Sequence, residues 1–78
     1  MKIMKQAEFL YRIAEALDHE GVISADQDLM SIGEWDSLGL LSIVELVSDL
    51  GLTIRPDQLG HLQNISELIE LAREVIDG

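Results

Sequence analysis

The 78-residue sequence predicts an all-α fold: a small antiparallel bundle of three main helices and one short helix, with a long first connection. Two observations support this class. Apolar residues recur at helical spacing in separate segments of the chain, and residues typical of helix ends lie between those segments. The length allows one domain, residues 1–78, with a core of limited size.

The first helix is predicted from about Ile3 or Gln6 to Leu17. Its apolar side chains fall on one face, as in a helix that packs on a core. Gly21 is expected to mark the point where the chain leaves this helix. The residues of the apolar face are Ile3, Phe9, Leu10, Ile13, Ala14, Ala16 and Leu17.

Residues 18–36 are predicted to form a long connection. Loops of this length in compact domains are usually functional or held in place by their own side chains. Ser24 and Asp26 indicate a turn, and Trp35 is expected to pack its ring beneath the loop. The side chains expected to hold the loop on the core are Val22, Ile23, Leu29 and Ile32.

The second helix is predicted from about Ser37 to Leu50 and is followed by Gly51, which suits a left-handed helix cap. At 100° per residue the helix has an apolar face and a mixed face. The apolar face, which we expect to be buried, contains Leu40, Ile43, Val44, Leu46, Val47 and Leu50. The mixed face contains Ser37, Leu38, Leu41, Ser42, Glu45, Ser48 and Asp49.

A short third helix is predicted from about Pro56 to Leu62, because proline suits the first turn of a helix. The last helix is predicted from about Ile65 to Ile76 on near-ideal apolar spacing. Asn64 and Glu67 resemble a capping box at the start of that helix, with Asn in the usual Ser/Thr place.

The charge of the chain limits its possible partners. There are 15 Asp and Glu against 5 Lys and Arg, a net charge of −10, and residues 13–54 contain no Lys or Arg. Such a surface repels nucleic acid and anionic membranes. The charge either keeps the protein soluble or steers it toward partners with basic patches, and both interpretations remain open.

Other features of the composition point to a cytoplasmic protein. The chain contains no cysteine, which excludes a disulfide framework and a thiolate metal site and fits a reducing compartment. No apolar run reaches the roughly 20 residues of a membrane span. The basic N-terminus is not followed by the long apolar region of a signal peptide.

The segment from Gly33 to Leu41 is predicted to be a loop that enters the second helix. Asp36 or Ser37 can cap this helix, so Ser37 is expected at its N-terminus. Free backbone N–H groups and the helix dipole favour a negative group there, and a serine in this place is suited to carry a phosphate ester. The neighbouring Leu38 and Leu41 suggest a small docking surface.

The motif Asp36-Ser37-Leu38 resembles the Asp-Ser-Leu motif of acyl carrier proteins and the related peptidyl carrier domains. The resemblance covers about Phe9 to Ile76, and it implies an acyl-carrier-protein-like bundle. It also implies that 4′-phosphopantetheine, taken from CoA, is attached to Ser37 through a phosphodiester. The residues outside the motif that are similar to carriers with Trp before the motif are Trp35, Gly39, Leu50, Gly51, Leu52 and Ile54.

The resemblance implies a carrier of acyl or aminoacyl thioesters. Its partners would be a phosphopantetheinyl transferase and acyl-transferring and synthase enzymes with basic docking patches, and we expect the carrier itself to be a monomer. The residues expected to contact these partners are Asp36, Leu38, Leu41, Glu45 and Asp49.

Two positions depart from the pattern of fatty-acid carriers. Those proteins usually have an acid where Gly39 stands and often have an apolar residue where Glu45 stands. Gly39 also weakens the start of the helix by about 1 kcal/mol relative to Ala. The pathway therefore stays open between fatty-acid, polyketide, peptide and other specialised biosynthesis.

We do not expect an enzyme. A hydrolase nucleophile elbow would need glycine where Trp35 stands. His19 and His61 are the two candidate bases, and nothing in the sequence places either beside Ser37. No metal-ligand cluster or phosphate-binding glycine loop is present in the sequence.

An alternative function does not need a prosthetic group. The chain could be a small acidic helical adaptor that binds a partner through Leu38 and Leu41. Ser37 would then be unmodified or would be phosphorylated by a kinase.

Overall fold

The computed structural model describes residues 3–77, which form four α-helices and two short β-strands. The prediction of a small helical bundle is confirmed. No helix within residues 3–77 is long and apolar enough to cross a membrane. The elements are β1 (Met4–Lys5), α1 (Gln6–Leu17), α2 (Ser37–Asp49), α3 (Pro56–Gly60), α4 (Ile65–Leu71) and β2 (Ile76–Asp77), with 3₁₀ turns at Leu29–Ser31 and Arg73–Val75.

The prediction of an all-α fold was incomplete, because the two ends of the described chain pair in a parallel two-stranded sheet. Met4 of β1 lies opposite Ile76 of β2, and Lys5 lies opposite Asp77. The Lys5 ammonium is 3.1 Å from the Asp77 carboxylate at an exposed position. Each strand has only two residues, which is too short to show the alternating pattern by which strands are predicted.

The last helix is shorter than its apolar spacing predicted. Its start is as expected: the Glu67 N–H donates to Asn64 Oδ1 at 3.0 Å, and the Asn64 N–H donates to Glu67 Oε1 at 3.4 Å. The helix ends at Leu71, whereas the prediction extended it to Ile76. Ile76 is nonetheless buried, since the 3₁₀ turn and β2 bring it onto the core, and a β-branched residue suits a strand.

The first helix ends at Leu17, as predicted, but the chain turns away from it at Asp18 and not at Gly21. Asp18 follows it in the left-handed conformation, with φ 56° and ψ 39°. The Asp18 N–H donates to the Glu15 carbonyl, and the His19 N–H donates to the Ala14 carbonyl at 2.9 Å. Asp tolerates this conformation better than most residues, so it ends the helix in the manner of a C-terminal glycine.

The long loop lies on the core through three of its four predicted side chains. Ile23, Leu29 and Ile32 are buried, and the half-buried Trp35 packs against the core as expected. The prediction that Val22 is also buried is wrong, because its side chain is 90% exposed.

The core contains side chains from all four helices and from the loop. Every buried side chain within residues 3–77 is apolar. The largest of those that are completely enclosed are Phe9, Ile13, Ile23, Leu29, Ile43, Val47, Leu59, Ile65 and Leu68.

The second helix buries a narrower face than its helical periodicity of 100° per residue predicted. Ile43 and Val47 are fully buried. Leu46 was expected inside the core but is only half-buried, because it lines an open groove between α1 and α2. Leu38 lies outside, as predicted.

These positions predict a graded response to truncation along α2. Ile43→Ala should cost about 2–5 kcal/mol, the usual range for a large buried aliphatic side chain. Leu38→Ala should change stability by no more than about 0.5 kcal/mol, and Leu46→Ala should fall between them. Urea unfolding followed by circular dichroism measures all three. A cost at Leu38 as large as that at Ile43 would contradict the orientation of α2.

Candidate functional site

Ser37 is the first residue of α2, and its side chain is exposed. Asp36 precedes it in an extended conformation and caps the helix, because its Oδ1 accepts the Gly39 N–H at 3.0 Å. The Leu40 N–H donates to the Asp36 carbonyl at 2.8 Å, which begins the helical bonding. The sequence left Asp36 and Ser37 as alternative caps, and the structure selects Asp36.

This arrangement leaves the Ser37 hydroxyl at the positive end of the helix dipole. A phosphodiester at such an exposed helix start is stabilised by about 0.3–1 kcal/mol. Because Asp36 accepts the amide of Gly39, the cap does not depend on the Ser37 hydroxyl. That hydroxyl can therefore be esterified without loss of the cap.

Gly39 is buried because the preceding loop crosses the first turn of α2 at this residue. A Cβ atom there would overlap the Glu34 carbonyl oxygen and would lie 2.9 Å from Leu17 Cδ2. Only glycine allows the loop backbone to approach this closely. In the sequence Gly39 suggested only a weak helix start, although a glycine inside a helical pattern often has a packing reason.

Glu34 connects the same loop to the end of α1. Its Oε1 is 2.7 Å from Nδ1 of His19, and since a carboxylate only accepts hydrogen bonds, Nδ1 carries the proton. This bond lowers the pKa of the Glu34 carboxyl, with a smaller contribution from its own backbone N–H. The nearby Asp36 carboxylate acts in the opposite direction on that pKa.

The two histidines that were considered as catalytic bases have other partners. His19 bonds Glu34, as described. His61 follows α3, with Nδ1 2.7 Å from the main-chain carbonyl oxygen of Asp57. Within residues 3–77, no group of three or more His, Cys, Asp or Glu side chains is arranged to hold a metal ion.

Two leucines are exposed beside the serine. The side chain of Leu38 is 76% exposed and that of Leu41 is 57% exposed. The exposure predicted for both is confirmed, while their role in docking stays a prediction.

An open groove of about 320 Å³ lies between α1 and α2, and we call it the acidic groove. Among the described residues that line it, the one cation is Arg12, whose guanidinium is 3.1 Å from the Glu8 carboxylate. The carboxylates of Glu15 on α1 and of Glu45 and Asp49 on α2 all line this groove. The residues that line the acidic groove are Arg12, Glu15, Ala16, Ser42, Glu45, Leu46 and Asp49.

A second hollow, of about 390 Å³, continues from the acidic groove toward the loop, with Ala16 and Ser42 common to both. Asp36 and Leu38 line this hollow, whereas Glu45 and Asp49 line the acidic groove. Four of the five predicted partner residues thus lie along adjoining hollows, and Leu41 lines neither of them. The contribution of Glu15 was missed, because no signal in the sequence gives the relative placement of α1 and α2.

Comparisons of this chain with protein-family models, with curated proteins and with solved structures found no match. A function therefore has to be inferred from the motif around Ser37 and from the geometry of the site.

The close approach of the loop at Gly39 predicts an unusual response to substitution. Ala in place of Gly normally stabilises a helix by about 1 kcal/mol. Gly39→Ala should instead destabilise the fold by about 1–3 kcal/mol, as overpacking does, because the Glu34 carbonyl must move. Denaturant unfolding of the variant and the wild type gives the difference.

Gly60→Ala is the matched control for this experiment. Gly60 is the last residue of α3, and a Cβ there would have no neighbour within 4 Å. This substitution should stabilise the protein by about 0.4–1 kcal/mol. Equal stabilisation by both substitutions would show that the loop does not pack on Gly39.

Proposed function

We propose that this chain is an acyl carrier protein that holds acyl or aminoacyl groups on 4′-phosphopantetheine attached to Ser37. The observation that carries the proposal is the position of the Asp36-Ser37-Leu38 motif. Its aspartate caps a helix, its serine is the exposed first residue of that helix, and its leucine is exposed beside the serine.

The site fits the prosthetic group in several respects. The Ser37 hydroxyl is accessible, and the helix dipole favours the charge of a phosphodiester. The arm would supply a terminal thiol that holds the cargo as a thioester, and this chain contains no cysteine of its own. The protein's part is to present one hydroxyl in a defined place, while a separate transferase would supply the group from CoA.

The surface around Ser37 supports delivery to other proteins. Leu38 and Leu41 offer apolar contacts, and the acidic groove offers carboxylates from α1 and α2. Enzymes with basic patches would be attracted to such a surface, chiefly through faster association. Fatty-acid, polyketide and peptide synthases remain equal candidates for these enzymes, within a cytoplasmic pathway.

The exposed leucines would also suit an adaptor without a prosthetic group. Such a protein would bind its partner through Leu38 and Leu41 whether or not Ser37 is modified. Loading of Ser37 therefore separates the two functions.

We predict that the purified apo protein gains one phosphopantetheine when it is incubated with CoA, magnesium and a broad-specificity phosphopantetheinyl transferase. Intact-protein mass spectrometry detects the gain, and proteolytic mapping should place it on Ser37. Ser37→Ala should gain nothing, while Ser48→Ala, which changes an exposed serine of the same helix outside the acidic groove, should load normally. An unmodified wild type, or a gain retained by Ser37→Ala, would refute the carrier function.

We also predict that charge in the acidic groove accelerates association with the transferase. Glu45→Lys combined with Asp49→Lys should slow loading at low salt. The difference from the wild type should shrink as salt is added, because screening acts over roughly 10 Å at 0.1 M. Loading rates measured across a series of salt concentrations test this.

The control for charge is the pair Asp26→Lys and Glu74→Lys. Both side chains are exposed and lie outside the acidic groove. The two substitutions change the net charge of the protein by the same amount as Glu45→Lys with Asp49→Lys. The control should load faster than the groove variant. Equal rates for the two double variants would show that net charge, and not the groove, governs association.

A further inference from the structure

The turn that leads into α2 is fixed through one residue, Glu34. Its carbonyl oxygen accepts the Asp36 N–H at 2.9 Å and packs against Gly39, where a Cβ would not fit. Its carboxylate bonds Nδ1 of His19 at 2.7 Å. Main chain and side chain of Glu34 therefore join the turn to two different helices.

His19 is itself held in place by α1. Its backbone N–H donates to the Ala14 carbonyl at 2.9 Å, in the turn that ends the helix. Its side chain is 18% exposed, and that of Glu34 is 39% exposed, so the bond between them is partly shielded from water. Such a bond, at a short distance, is stronger than one in full solvent.

Without His19 the turn would lose more than one contact. The Asp36 carboxylate repels that of Glu34 and acts to raise the pKa of the Glu34 carboxyl, and the bond to His19 would no longer oppose that repulsion. Asp36 is also the cap that receives the Gly39 N–H. Movement of Glu34 would thus disturb the residue directly before Ser37.

We propose that His19, through its bond to Glu34, is a positioning residue that holds the turn before Ser37 in the form a transferase recognises. This inference rests on the proposed carrier function. His19 acts through Glu34 and takes no part in the transfer itself. If only a fraction of molecules holds the turn correctly, the apparent KM for the carrier rises by the inverse of that fraction, while kcat is largely kept.

The test compares loading kinetics of His19 variants with CoA and a broad-specificity phosphopantetheinyl transferase. His19→Ala should raise the apparent KM for the apo protein about 2- to 10-fold, in line with loss of one hydrogen bond. His19→Gln keeps an N–H donor and should restore part of the loss. Glu34→Ala removes the carboxylate that accepts this bond and keeps the backbone carbonyl that packs on Gly39, so it should also raise KM if the protein folds normally.

Two controls separate positioning from general destabilisation. His61→Ala removes the other histidine, which bonds a main-chain carbonyl in α3, and should leave KM unchanged. Combining His19→Ala with Glu34→Ala should be no worse than either change alone, since both remove the same bond. Amide hydrogen exchange at Gly39, followed by NMR without any transferase, should be faster in His19→Ala and unchanged in His61→Ala.

The outcomes distinguish this inference from the function on which it rests. A wild-type protein that is not modified at Ser37 would overturn the carrier function, and the inference would fall with it. A wild type that is loaded, together with His19→Ala of unchanged KM and unchanged Gly39 exchange, would overturn the inference alone. A raised KM with rescue by His19→Gln would support both.

Discussion

The close packing of the Glu34 carbonyl on Gly39 is the constraint on which the rest of the site depends. It sets how the long loop enters α2, because the backbone of the loop touches the first turn of the helix. Asp36 can then cap that turn, and Ser37 is left exposed as its first residue. The same glycine that weakens an isolated helix therefore allows the helix start to be fixed by its surroundings.

The local features of the fold could be predicted from the sequence. The cap at Asp36, the proline at the start of α3 and the capping box of Asn64 and Glu67 all involve residues no more than three positions apart. Each such signal depends on short-range hydrogen bonding or on fixed backbone geometry. Helix starts were consequently located well, including the one that carries Ser37.

The features that the sequence did not predict depend on contacts between distant segments. His19 and Glu34 are 15 residues apart, and the two strands join opposite ends of the described chain. Leu46 has the spacing of a core residue, yet the open groove between α1 and α2 leaves it half-buried. Apolar periodicity identifies which residues are able to be buried, but the placement of neighbouring elements decides which of them are.

The central claim is that Ser37 carries a phosphopantetheine arm. The most direct measurement is mass spectrometry of the protein purified from the cells that naturally make it, with fragmentation of the peptide that contains Ser37. Our account predicts that this peptide bears 4′-phosphopantetheine, alone or with an acyl or aminoacyl group on its thiol. A peptide that is always unmodified, or that bears only a phosphate, would contradict the account and favour the adaptor function.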